Sequence, residues 1–121
     1  MLFLRKQRQV HGTDRSLEGY VLLKNRSIQG QENRNLLIRQ FLVLDYTDLY
    51  LFHDESKEKL KFMVSLSGCF VQEIRNDYFE NNVVYTRVVL IIAECYRRTF
   101  YFKDDSPEKV TWLKKLREAS N

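Results

Sequence analysis

The chain has 121 residues, of which 44% are hydrophobic and 13% aromatic, with a formal net charge of +4. That length makes one domain, and that apolar content is enough for a core, which excludes extended disorder. No apolar run approaches the roughly 18 residues that a membrane-spanning helix needs.

The charge is unevenly placed. Residues 1–40 hold eight Lys/Arg against three Asp/Glu, whereas 41–121 are nearly balanced. A basic end steers a protein toward phosphates, lipid headgroups or acidic partners. The opening Met1-Leu-Phe-Leu4 is too short for a signal-peptide core, and Leu2 stands where N-myristoylation requires glycine. Any membrane contact is therefore expected from the folded surface or from other parts of a longer protein. Cys69 and Cys95 lack metal-ligand spacing and read as reduced thiols, which fits the cytoplasm.

Residues 1–16 read as a basic leader or linker, and 17–121 as the domain. Leu17 to Lys24 reads as the first strand. Asn25 to Asn35 is a polar loop carrying Arg26 and Arg34. Leu36 to Asp45 and Leu49 to His53 read as the next two strands, with a tight turn at Tyr46-Thr-Asp48. A charged loop, 54–59, leads to a fourth strand, Lys61 to Leu66. Ser67-Gly68 turns into a fifth, Cys69 to Arg75. Asn76-Asp77 and Glu80-Asn-Asn82 bracket a further loop that holds Tyr78 and Phe79. Val83 to Ile92 and Arg98 to Lys103 complete seven strands, whose short connections indicate antiparallel pairing.

Only the last segment reads as a helix. Ser106 is a good N-cap and Pro107 suits the first helical position. Asp104, Asp105 and Glu108 lie at the positive end of the helix dipole, and Lys114, Lys115 and Arg117 toward the negative end. Val110, Trp112, Leu113, Leu116 and Ala119 gather at helical spacing as the expected buried face.

Seven strands followed by one capped helix with a mid-helix tryptophan resemble a pleckstrin homology (PH) domain. The resemblance runs from about Leu17 to Ala119. It rests on Glu18-Gly-Tyr-Val21, Phe41-Leu-Val-Leu44, Leu49-Tyr-Leu-Phe52, Leu66-Ser-Gly-Cys-Phe-Val71, Arg98-Thr-Phe-Tyr-Phe102 and Trp112-Leu-Lys-Lys-Leu116. It implies a mainly β fold, a seven-stranded antiparallel orthogonal sandwich or partly open barrel with the helix plugging one end. Phosphotyrosine-binding and other PH-like domains share this topology. Trp112, Leu116, Phe41 and Val43 are the expected core.

Members of the family that grip phosphoinositides carry a lysine near the end of the first strand and a paired Lys/Arg-x-Arg in the second. Here the paired positions fall on Ile38 and Gln40, both uncharged. Arg39, between them, is expected on the opposite sheet face. The first-strand position falls on Leu23, one place before Lys24. The candidate lipid- or anion-binding residues are therefore Lys24, Arg26, Arg34, Arg39, Lys57, Lys59, Arg97 and Arg98, with Lys61 adjoining. Tyr78 and Phe79 are candidates for a protein partner.

Catalysis has little support. No serine or cysteine nucleophile has an evident base, and neither a glycine-rich phosphate loop nor zinc spacing occurs. The expectation is a non-enzymatic module without cofactor or metal, peripheral at the cytosolic face of a membrane, binding anionic phospholipids. A protein-docking scaffold is the alternative. Nucleic acid is not an expected partner.

Overall fold

The computed structural model describes residues 16–25 and 37–121. Seven strands precede one helix. They are β1 (Ser16–Lys24), β2 (Leu37–Asp45), β3 (Asp48–Phe52), β4 (Leu60–Ser65), β5 (Phe70–Glu80), β6 (Val83–Ala93), β7 (Tyr96–Lys103) and α1 (Pro107–Ser120). Arg26, Arg34 and the basic leader up to residue 15 lie outside the described residues.

The strands form one antiparallel sheet in the order β4-β3-β2-β1-β7-β6-β5. β1 and β2 pair along their whole length, from Ser16↔Asp45 to Lys24↔Leu37. β6 and β7 pair almost as fully. Between β1 and β7 the register holds a single pair, Leu22↔Tyr101. Two well-knit halves thus meet at a narrow seam. β4 and β5 are the sheet's two edges, so the barrel stays partly open.

Period-two alternation builds the core. Val21, Leu42, Leu44, Leu49, Leu51, Val88, Leu90, Phe100 and Phe102 share one buried cluster with Trp112, Leu113, Leu116 and Ala119 of the helix. Of the expected core residues of β2, Phe41 is buried and Val43 only half-buried. Leu42 and Leu44 face inward, so Phe41 and Val43 occupy the outer face. Phe41 is buried there against Tyr20, ring edge to ring face at 5.1 Å, while Val43 is only half-buried. Both faces of this strand carry large apolar side chains, so alternation alone could not tell in from out.

β5 is also longer than its polar residues suggest. It runs on through Asn76 and Asp77 by a register shift between Ile74 and Tyr78. Asn76 adopts a left-handed conformation (φ 59°), which asparagine tolerates better than most residues. Tyr78 and Phe79 are therefore strand residues opposite Tyr85 and Val84, not loop residues. Asn81 and Asn82, both at positive φ, make the turn into β6, as a tight hairpin requires.

The helix starts as its sequence dictates. The Ser106 hydroxyl accepts from the Lys109 amide at 3.2 Å, and Pro107 opens the first turn. Its buried face differs by one position from the expected one. Val110 is 65% exposed and Lys109 is buried. The long lysine stem carries its ammonium to Glu73 of β5 (3.1 Å) and to the Thr86 hydroxyl of β6 (3.3 Å). Thr86 in turn donates to Asp104 at 2.6 Å, and the Asn76 amide donates to the same carboxylate oxygen at 3.2 Å. A buried charge survives only when paired and hydrogen-bonded, and this one has both. At the other end, the Ser120 carbonyl accepts from the Gly68 amide in the β4–β5 turn, at 3.0 Å. The helix is therefore pinned to β5, to β6 and to the turn that joins the two edge strands.

Two outcomes follow from this packing. Replacing Trp112, 3% exposed, with alanine should cost about 3–5 kcal/mol in urea unfolding, the usual range for a large buried aromatic. The hydroxyl of Thr86 holds the Asp104 carboxyl below the ordinary aspartate value, with help from the Asn76 amide and the Lys109 charge, against opposing burial. A depressed folded-state value means stability that is present above the unfolded value and lost as pH falls through the folded one. Asp104→Ala should therefore destabilise the domain at pH 7, and the gap to wild type should close below about pH 4. Paired melts at pH 7 and pH 3 measure it; an equal gap at both would show that the carboxylate charge is irrelevant.

Candidate anion-binding site

Beyond Leu22↔Tyr101 the end of β1 and the start of β7 part. A cavity of about 450 Å³ opens between them, bordered by the starts of β2 and β4. Its apolar walls come from Leu51, Phe62 and Phe100, and Ile38 and Gln40 of β2 also line it. Five cationic side chains, Lys24, Lys61, Arg87, Arg97 and Arg98, complete the lining, with no carboxylate among the described lining residues.

These cations are held differently. The Arg98 guanidinium lies 4.2 Å from the Phe62 ring centre and 4.9 Å from that of Tyr96. Its Nε and Nη2 donate to the Tyr96 hydroxyl at 3.2 and 2.9 Å. Phe62 is on β4 and Arg98 on β7, which are not sheet neighbours. Arg98 therefore crosses the mouth, its planar fork oriented in advance. Stacking of this kind is open to arginine and not to lysine. Arg87 is committed to Asp77 by two bonds, of 2.9 and 3.3 Å. No described carboxylate pairs with Lys24, Lys61, Arg97 or Arg98.

Lys24 sits at the rim, its ammonium 4.7 Å from the Tyr78 ring centre and 5.6 Å from that of Tyr101. The β1–β2 register runs without a bulge to Lys24, and Leu23 and Lys24 both line the cavity. Burial, reinforced by a 2.7 Å hydrogen bond from its hydroxyl to Glu80, pushes the Tyr78 phenol up to about 12. Tyr78 thus remains neutral, as a ring facing a cation should. Phe79, next to it, is 64% exposed.

Gln40 is 7% exposed and lines the cavity, and its side-chain amide has no hydrogen-bond partner among the described residues. Buried polar groups are nearly always paired, because leaving one unpaired costs about 1–3 kcal/mol.

The remaining candidates lie elsewhere. Arg39 is exposed on the outer face, 4.1 Å over the Tyr20 ring, as strand alternation required. Lys57 pairs with Glu18 at 3.1 Å on that same face, 6.0 Å from the Phe41 ring centre. Lys59 is exposed in the loop before β4 and does not line the cavity. Of the residues singled out in the sequence, Lys24, Arg97 and Arg98 line the cavity together with the adjoining Lys61, and Arg87, which was not singled out, lines it too. Arg87 stands inside the run Val83-Val-Tyr-Thr-Arg-Val-Val-Leu90. A lone charge in so apolar a strand was the available signal. No group of His, Cys, Asp and Glu suited to a metal occurs among the described residues.

Comparison with known proteins agrees with this architecture. A family model described as "PH domain" matches residues 15–121. The solution structure of the pleckstrin homology domain of the human KIAA0053 protein is similar, with 22% identity over 86% of each chain and a TM-score of 0.56. At that identity the likeness speaks for the fold alone. No curated protein matches the chain. With its seven strands, its closing helix and the match over residues 15–121, the chain belongs to the PH domain family.

Proposed function

We propose that this domain docks on membranes by taking the headgroup of an anionic phospholipid, of which a phosphoinositide is one kind, into the cavity between β1 and β7. PH domains in general bind lipids or proteins. The observation that carries the lipid reading is the cavity's lining, which among the described residues holds five cations, of which Arg87 is paired with Asp77, and no carboxylate. In such a mouth the cations attract phosphate together, and the stacked Arg98 fork offers it paired, charge-assisted bonds. The Gln40 amide, without a partner among the described residues, supports occupation by a polar ligand.

The rim suits a bilayer. Leu60, beside Lys61, is 54% exposed, and Tyr96, bonded to Arg98, is 37% exposed. An apolar residue and a tyrosine set among cations match the headgroup boundary, where aromatic rings and basic side chains both concentrate. Arg26 and Arg34 of the first loop add to the same field in this reading, and residues 1–16 serve as a basic leader. The domain then works without catalysis, at the cytosolic face of a membrane. Its walls supply recognition, and no nucleophile or base is required.

A second reading rests on a different surface. β5 is a free edge with Phe70 and Phe79 exposed at 62% and 64%. Exposed aromatics on an open edge strand suit a protein partner. Lipid binding is preferred, because the cavity collects four cations that no described carboxylate pairs, whereas the β5 edge offers isolated rings.

Co-sedimentation with vesicles decides between them. Binding to phosphatidylserine- or phosphoinositide-containing vesicles, and not to neutral ones, is expected. Near a charged surface each basic side chain contributes about 1 kcal/mol. The double reversal Arg97→Glu/Arg98→Glu should therefore lower partitioning by more than about tenfold, and Arg39→Glu on the outer face far less. Equal losses from both would move the site to the outer face. No vesicle binding at all, with a partner lost on Phe79→Ala, would establish the protein-docking reading.

A further inference from the structure

The seven tyrosines of the chain are not equivalent. Tyr85 and Tyr101 are buried, four others are half-buried, and Tyr96 alone is exposed. The hydroxyls of Tyr20 and Tyr78 donate to carboxylates, those of Glu55 and Glu80. The Tyr96 hydroxyl instead accepts from a cation, with Nε and Nη2 of Arg98 at 3.2 and 2.9 Å. Accepting twice uses the oxygen's lone pairs and leaves its proton for another acceptor. Tyr96 also stands where an enzyme can reach it. Residues 93–97 are all exposed, at the hairpin between β6 and β7. The ladder there is irregular: its register shifts between Ile91 and Ala93, and Ala93↔Tyr96 is the last pair. A tip held by one pair beyond an irregularity opens more readily than the strands beneath it.

We infer that Tyr96 is a phosphorylation site for a protein tyrosine kinase, and that its phosphate closes the cavity to anionic headgroups. The closing role rests on the cavity being the headgroup site. In the transfer, the phenolic oxygen attacks the γ-phosphorus of ATP. The new O–P bond forms as the bond from that phosphorus to the β,γ-bridging oxygen breaks. ADP leaves, and the phenolic proton passes to the kinase's base. The product adds a charge of about −1.5 to −2 and three acceptor oxygens. Its receptor is already in place. The Nε–Nη2 edge of Arg98 faces the Tyr96 oxygen, the Phe62 ring holds the guanidinium at 4.2 Å, and no described carboxylate competes for it. A guanidinium fork matches phosphate oxygens in pairs. The phosphate thus occupies the arginine that crosses the mouth, and its charge offsets about two of the cavity's cations. A phosphate on Tyr20 or Tyr78 would meet Glu55 or Glu80 and be repelled.

The whole chain, treated with MgATP and the catalytic domain of a broad-specificity tyrosine kinase, tests this in three readings. Mass spectrometry should find Tyr96 modified first, and Tyr96→Phe should lose most of the label. The phosphorus resonance of the modified chain should titrate below its ordinary value of about 6. It should return to that value in Arg98→Gln, because the arginine favours the dianion. Partitioning to phosphatidylserine vesicles should fall by more than about tenfold on modification and recover after phosphatase treatment, since each unit of charge beside an anionic surface is worth about fivefold. Label on other tyrosines with Tyr96 untouched, a titration that does not respond to Arg98→Gln, or undiminished vesicle binding would overturn the inference while leaving the headgroup site standing. If the unmodified chain binds no vesicles, the headgroup reading fails and the closing role with it.

Discussion

The structure depends on how little β1 and β7 share. Each is fully paired on its other side, yet the register joins them only at Leu22↔Tyr101. Seven twisted strands cannot lie flat, so the sheet bends through this seam and its edges, β4 and β5, come round without pairing. Two openings result. The edge side is closed by the helix, which needs Trp112 and Leu116 to fill volume and the Lys109–Glu73 contact to hold its first turns on β5. The other opening, where β1 and β7 part, has no such plug among the described residues and holds the cavity.

Charge then differentiates the two faces of one strand. In β2, Arg39 points out to Tyr20 while Gln40 points in. On the outer face every cation noted has company: Arg39 rests on a tyrosine and Lys57 on Glu18. At the cavity, most of the cations rest on aromatic rings or on nothing described. Rings fix an arginine or a lysine without neutralising it. The field at the mouth is therefore positive and preorganised, with Arg98 spanning from β7 to Phe62 of β4. Ile38 and Gln40 bring no charge to the cavity from β2, and its cations stand instead on β1, β4, β6 and β7.

Elements set by local chemistry were legible. The Ser106-Pro107 start, the helical spacing through Trp112 and the seven apolar segments needed no knowledge of distant residues. The buried Lys109 did not show, because its partners Glu73 and Thr86 come from other strands, and a lysine stem reads as solvent-exposed until its partner is known. The face on which Phe41 and Val43 stand was not legible for a different reason. β2 is apolar on both sides, and only the inward Leu42 and Leu44 settle its orientation. Asn76-Asp77 read as a turn because polar residues with left-handed tendency mark turns, and a bulge uses the same chemistry. At the site, charge near strand ends pointed to Lys24, Arg97 and Arg98. Arg87 was hidden within a strand, and Lys57 was drawn off by Glu18, a residue 39 positions earlier.

Occupancy of the cavity is the centre of the account, and amide-resolved NMR reports it most directly. The labelled domain would be titrated with a soluble inositol phosphate. The amides of Leu23, Lys24, Thr99 and Phe100, which border the cavity, should shift together and saturably, while those of Tyr20 and Phe41 on the outer face stay in place. Shifts gathered around Tyr20, Phe41 and Lys57, or none at high ligand concentration, would contradict it.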